Sequence, residues 1–348
     1  MPTPTLIWEW GTAYDLFISL HALHYPTDFG LRGAWAAGVR SRLPADAREV
    51  LELITAFLIV PFRWLHTLPD PKDSTTVLWT LRQISPEKRI STLLLDEEEP
   101  QQFGELLERV AERRAWDEAD YEEFRDIYAH HKKPPAKKVL RAFLDWYTRP
   151  EVLGGRYLEG LQAYQEVFFA EEERRITPYL RQALTQAQDL AERMPLPDLL
   201  EELSRGLRMT SLQDIPELVL APSFWITPLI VYGNIDAERM LFMFGARPDD
   251  ASLVPGEVVP DALTQALKAL SDPTRLRILR YLSEDTLTVA QLARRLRLRA
   301  PTVIHHLHTL RLAGLVHLTV EEGNERYYAT RHEAITAACA ALERFLGQ

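Results

Sequence analysis

In the stretch PTVIHHLHTLRLAGLV, residues 301–316, three imidazoles (His305, His306 and His308) fall within four positions. Imidazoles at that density serve a metal site, a general base beside a nucleophile, or a titratable contact to a polyanion. Other candidate groups are sparse. His21 and His24 stand three apart in FISLHALHY, and His130 and His131 precede KKPPAKK, so either pair could contribute to a metal or hydrolytic site. Cys339 is the single cysteine, which excludes a disulfide framework and a thiolate metal cage within one chain. The acidic runs LDEEEP and AEEERR read as solvated helix faces and ends. No phosphate-cradling glycine loop and no nucleophile elbow is present.

The histidine cluster has to be placed on an element before it can be read. A helix advances about 100° per residue, so Val303, Leu307 and Leu310 share one face and belong to a core. His305 then lies almost opposite, with Pro301, His308 and Leu312 also outward and Thr302 and Ile304 on the flanks. His306 sits at the core margin, as a packing residue with one hydrogen bond. A metal site built on His305 and His308 needs further ligands, and neither Cys nor acidic residues lie nearby in sequence. A catalytic role lacks a serine or cysteine partner. The third reading is a helix built to lie against something negatively charged.

Length and charge frame these elements. A chain of 348 residues exceeds the size at which single cores stop growing, so at least two domains are expected. With 46% hydrophobic and 26% charged residues the composition is that of a globular protein. The longest apolar run, LITAFLIVPF, is half the length of a spanning helix and contains Pro61, and the first residues do not read as a signal peptide. A cytoplasmic protein without a membrane partner is expected. Net charge is −10 overall, but residues 262–348 hold 12 Lys+Arg against 8 Asp+Glu, a balance of +4, leaving −14 for the rest. That asymmetry points the basic part at a polyanion.

Three segments follow. Residues 1–247 read as mostly helical, with DAREVLELITAFL, PQQFGELLERVAERRAW and a long helix over 157–194 in which Pro178 is a kink or break. Residues 217–247 change period and read as two or three strands around YGNID. Residues 248–261, with Pro248, Pro255, Gly256 and Pro260, read as a linker. Residues 262–348 give a helix, a second helix capped by Ser271 or Asp272 with Pro273 in its first turn, a short helix, the histidine helix, a hairpin about Gly323 and Asn324, and a last helix. Ile335, Cys339, Leu342 and Leu346 form one stripe on that last helix, suited equally to a dimer seam or to packing within the chain. The fold class is mainly α: a helical N-terminal domain with a small sheet, and a C-terminal winged helix-turn-helix.

The segment LKALSDPTRLRILRYL…TVAQLARRLRLRAPTVIHHLHTLRLAGLVHLTVEEGNERYYAT resembles the ArsR family of winged-helix bacterial transcriptional regulators over about a quarter of the chain. The resemblance implies that residues 300–313 are the recognition helix, that double-stranded DNA is the partner, that the first and last helices of the module join two subunits into a homodimer, and that repression is the more frequent outcome. By this reading Arg299 contacts phosphate. Ala300 heads the recognition helix, Thr302 and His305 read bases, Ile304 meets a thymine methyl, and His308 and Arg326 complete the surface. If His305 and His308 meet the duplex, affinity rises as pH falls through roughly 6.5. Arg294, Arg295 and Arg297 add positive charge near the turn, either against DNA or as a solvated face.

Departures from the family pattern are specific. Metal-sensing members carry Cys-Val-Cys where this chain has Thr288, Val289 and Ala290, and Arg331 and Arg344 stand where last-helix ligands would sit, so metal sensing is not expected and no cofactor is assigned. Serines frequent in relatives are replaced by Arg299 and Ile304, which predicts a different operator. The wing is acidic at Glu321, Glu322 and Glu325, against deep insertion into a minor groove.

The residues before the module carry all eight tryptophans, Trp8, Trp10, Trp35, Trp64, Trp79, Trp116, Trp146 and Trp225. They fit ordinary core, or an apolar pocket for a small organic effector. Segments LVLAPSFWITP and FGAR are similar to the uncharacterised domain that precedes some winged helices in longer bacterial regulators. The expectation is a regulator without catalytic residues. Its rivals are an enzyme with an appended winged helix, betrayed by a nucleophile and base in a cleft, and a module for protein contacts, betrayed by salt-insensitive DNA binding.

Overall fold

A computed structural model describes residues 4–95, 101–129, 134–209, 215–256, 258–321 and 325–347. His130, His131, Glu322, Gly323 and Asn324 lie outside the described residues. Contacts divide the chain into two compact units, Gly11–Thr177 and Met1–Trp10 with Pro178–Gln348.

The unit Gly11–Thr177 is helical: α1 (Thr12–His24), α2 (Gly33–Ser41), α3 (Ala45–Thr55), α4 (Phe62–His66), α5 (Ser74–Gln83), α6 (Arg89–Leu94), α7 (Gln101–Arg113), α8 (Glu118–Tyr128), α9 (Lys137–Tyr147) and α10 (Pro150–Tyr164). Every third or fourth residue of α7, α8 and α9 is apolar, and their inward faces meet in an aromatic core of Phe103, Phe124 and Phe143, whose rings stand 5.3 to 5.7 Å apart in offset and tilted pairs. Helix α10 passes through one π-helical turn, Gln165–Phe169, into α11 (Ala170–Ala191). Pro178 lies inside α11 without breaking it, so the irregularity expected at Pro178 falls 9 to 13 residues earlier. The Thr177 hydroxyl donates to the Glu173 carbonyl at 2.7 Å, a local bond beside the position where proline has no N–H.

In the second unit, β1 (Thr5–Trp8), β3 (Glu217–Ser223), β5 (Arg239–Gly245) and β4 (Val231–Asn234) form a sheet in that spatial order. β1, β3 and β5 run parallel, Leu6 opposite Leu218 and Leu218 opposite Met240, while β4 returns antiparallel. Residues 217–247, where two or three strands were expected, hold three, and β1 comes from the far end of the chain. Leu218, Leu220, Phe242 and Phe244 pack against Ala187 of α11 and Leu199 and Leu200 of α12 (Leu196–Leu203). Trp225 is sealed in this unit, whereas Trp79, in the other, is 55% exposed.

The same unit contains α13 (Asp261–Leu270), α14 (Pro273–Glu284), β6 (Leu287–Thr288), α15 (Val289–Leu296), α16 (Ala300–Leu312), β7 (Val316–Val320), β8 (Arg326–Thr330) and α17 (His332–Phe345). β7 and β8 form the antiparallel wing, with β6 on the β8 side. On the β7 side lies a strand not foreseen from sequence, β2 (Leu207–Met209), parallel to β7. Residues 248–261, expected as a linker, join elements of this one unit. The Asp261 carboxylate accepts from the Leu253 amide at 2.6 Å and faces the buried Arg247 at 3.7 Å.

Candidate nucleic-acid interface

Local chemistry fixes the helices that present the interface. Asp272 caps α14 by accepting from the Arg275 amide at 2.9 Å, with Pro273 in the first turn. Thr288 and Gln291 form a capping box on α15, at 3.3 and 2.7 Å. α15 ends at Arg297 in the left-handed region, φ 57, and the Leu298 amide returns to the Ala293 carbonyl at 3.0 Å. The turn Arg297–Arg299 then delivers α16 against α15. Underneath, Val303, Leu307 and Leu310 are sealed with Ile278, Leu292, Leu296 and Leu315. Burial of those three side chains, roughly 1.5 to 3 kcal/mol each, fixes the rotation of α16.

That rotation exposes Arg299, Ala300, Thr302, Ile304, His305 and His308. Ile304 is 54% exposed, an apolar side chain on the open face of this helix. His306 is half-buried. Against the one hydrogen bond expected, its buried Nδ1 atom has no partner among the described residues, and burial foremost pushes its pKa down, Asp272 opposing and Arg275 and His305 reinforcing. Leu312, expected outward, is buried, because α13 also packs on α16 and covers a second side of it.

The cations divide. Arg294, Arg297 and Arg299 are exposed and make no ion pair among the described residues. Arg295 is committed to its own fold: it meets Asp285 at 2.9 Å and stacks over Tyr281 at 5.8 Å. Arg275 donates to the Ala269 and Lys268 carbonyls at 2.8 and 2.5 Å, closing the end of α13. Arg311 is half-buried, and burial pushes its pKa down to about 10. Arg326 is half-buried on β8, and Tyr327 beside it is pushed up by its hydrogen bond to Glu325. Sequence alone could not separate the committed arginines from the free ones, since partners such as Asp285 and Tyr281 are set by tertiary packing.

The stripe on α17 is divided as well. Ile335 packs on the module's core, Leu342 is half-buried, Cys339 is exposed and Leu346 is 68% exposed. No residue of α17 is fully buried, and Phe345 and, on the neighbouring α13, Leu267 are 43% and 42% exposed. α11, α12, α13 and α17 border a groove of about 840 Å³ whose lining includes Ala187, Phe244, Ala266 and Ala338 together with Arg205, Arg331, Arg344, Glu202, Asp249 and Asp250. Among the described residues, no group of three or more His, Cys, Asp or Glu is placed to hold a metal ion, and no helix is long and apolar enough to cross a membrane.

The family model described as bacterial regulatory protein, arsR family, matches residues 272–317, from the cap of α14 to the second residue of β7. An uncharacterized HTH-type transcriptional regulator of Methanocaldococcus jannaschii is 38% identical over 65 residues, 18% of this chain and 72% of that protein. An arsenical resistance operon repressor of Staphylococcus xylosus is 39% identical over 71 residues, 20% of this chain and 67% of that protein. A solved ArsR family transcriptional regulator aligns with 32% identity over 24% of this chain and 86% of its own, with a TM-score of 0.22.

Proposed function

The chain belongs to the arsR family of bacterial regulatory proteins through its C-terminal module, and we propose from that premise that it represses transcription as a homodimer on operator DNA, responding to a small organic effector. The observation that carries the reading is the exposed face of α16, with three uncommitted guanidiniums at its entry. A helix so presented fits a major groove about 12 Å wide, its first turns toward base edges. Arg294, Arg297 and Arg299 neutralise phosphates, while Thr302, Ile304, His305 and His308 face the bases. Arg326 and the acidic wing stay at the backbone or beyond it.

Dimerisation is supported by the apolar, uncovered side chains Leu267, Phe345 and Leu346 on α13 and α17, which suit a twofold seam presenting two copies of α16 to successive half-sites. Metal sensing is outside the proposal, since Thr288, Val289 and Ala290 stand where metal-sensing relatives place ligands. An organic effector is supported by the groove of about 840 Å³, a volume within the range of small-molecule sites. The remainder of the chain binds rather than transforms its ligand in this reading.

Selection of bound sites from genomic fragments tests it. Arg299→Ala should weaken all selected sites alike. Thr302→Ala and His305→Ala should each change base preference at one or two positions, with a penalty of about 1 to 3 kcal/mol on the preferred base. The reverse pattern, or no selected site at all, overturns the assignment.

A further inference from the structure

The outer edge of the wing is occupied by the chain's own backbone. β2 lies parallel to β7, with Leu207 opposite Leu318, Arg208 opposite Thr319 and Met209 opposite Val320, and the Leu318 amide donates to the Gly206 carbonyl at 2.8 Å. The elbow from α12 into β2 uses two left-handed residues, Arg205 at φ 55 and Gly206 at φ 100. It is pressed onto the module: a Cβ on Gly206 would stand 2.8 Å from the Arg331 Cδ and 3.0 Å from the His317 Nδ1.

Arg331 ties this elbow to two other parts of the module. Its guanidinium donates to the carbonyl of Arg205 at 3.1 Å, to the carbonyl of Gly314 in the turn after α16 at 3.1 Å, and to Glu333 of α17 at 3.0 Å. Beside it, His317 of β7 stands 3.1 Å from Glu201 of α12, which also meets Arg208 of β2 at 2.7 Å. One cation and one short strand therefore connect α12 to the wing, to the end of the recognition helix and to the last helix.

We infer that β2 and Arg331 form a strap that positions the wing and the end of α16 for DNA, and that the preceding segment sets DNA affinity by seating or freeing it. The inference rests on the DNA-binding reading above. The seated strap is the binding-competent form, because the face of α16 is open while β2 is in place. A wing held before the encounter saves the cost of ordering it on binding. Three residues at a sheet edge form a link weak enough to release locally. The groove under α17 includes Glu202, Arg205, Gly314 and Arg331 in its lining, so a molecule seated there touches the strap's own anchors. It shifts the strap by no more than its differential affinity for the two forms.

The test uses the full chain and a selected operator fragment. Arg208→Pro removes the amide of the strand's middle residue. Met209→Cys with Val320→Cys, in a Cys339→Ser background, closes the strap with a disulfide, since register partners on neighbouring strands lie about 4.8 Å apart. For Arg208→Pro the expected results are faster amide exchange over residues 316–320, a folded chain at the assay temperature, and operator affinity down by about tenfold with base preference intact. The oxidised double-cysteine protein should bind as tightly as the Cys339→Ser protein in which it is made. Unchanged exchange in β7, unchanged affinity of Arg208→Pro, or loss of affinity on oxidation would each overturn the strap. If the wild type binds no fragment, the DNA reading falls and the strap with it; if the wild type binds and Arg208→Pro binds equally, only the strap falls.

Discussion

Arg297 shows how one residue can serve two ends. It ends α15 with φ 57, a conformation costing a non-glycine residue roughly 1 to 2 kcal/mol, yet it keeps a free guanidinium at the entry to α16. Arg297→Gly should therefore raise the free energy of unfolding by up to about 1 kcal/mol while weakening DNA binding. Denaturant midpoints and operator titrations check both signs, and a destabilised variant would contradict the account. His24 gives a second expectation. Burial foremost, with Arg40 and His21 adding to it, pushes it from 6.5 down to about 4. The unfolded chain takes up that proton first, so stability is intact above about pH 6.5 and falls as pH drops toward 4, by about 3 kcal/mol. In His24→Leu that part of the acid loss should vanish from urea midpoints measured across the range. The outward placement of Pro301, His305 and His308 was legible from a 3.6-residue period. Leu312 was not, because a helical wheel shows one buried stripe and α13 covers a second side.

Elements whose signals are local were read from sequence, and elements whose partners are distant were not. The cap at Asp272, the short helix α15 and the apolar stripe of α16 all show signals within a few residues of the helices they define. Thr288→Ala should cost about 1 kcal/mol through its lost cap, and Leu307→Ala about 2 to 5 kcal/mol through the void it leaves beneath α16. Thermal unfolding separates the two; equal small losses would mean that α16 is not anchored as described. By contrast β1 is four residues that pair with residues 217–220, and β2 is three residues that pair with 318–320. Neither is long enough to show a period, and each is defined by a strand more than a hundred positions away. Pro178 misleads for a related reason: helix α11 has enough other bonds to run through it.

For the whole molecule, charge asymmetry and the proline-rich segment at 248–261 separated a basic module from an acidic remainder, while tertiary packing joined that module to β2, α12 and a four-stranded sheet within one unit. Phe345→Glu with Leu346→Glu should shift the protein toward monomer in sedimentation and weaken binding to two half-sites more than to one. A monomeric wild type would remove the twofold arrangement. The most direct test of the central claim, that the exposed face of α16 with its free arginines engages duplex DNA, is the salt dependence of operator affinity. Affinity should fall steeply and linearly in log salt, and Arg299→Ala should reduce the slope by about one while leaving base preference unchanged. A shallow slope that Arg299→Ala does not alter would contradict it.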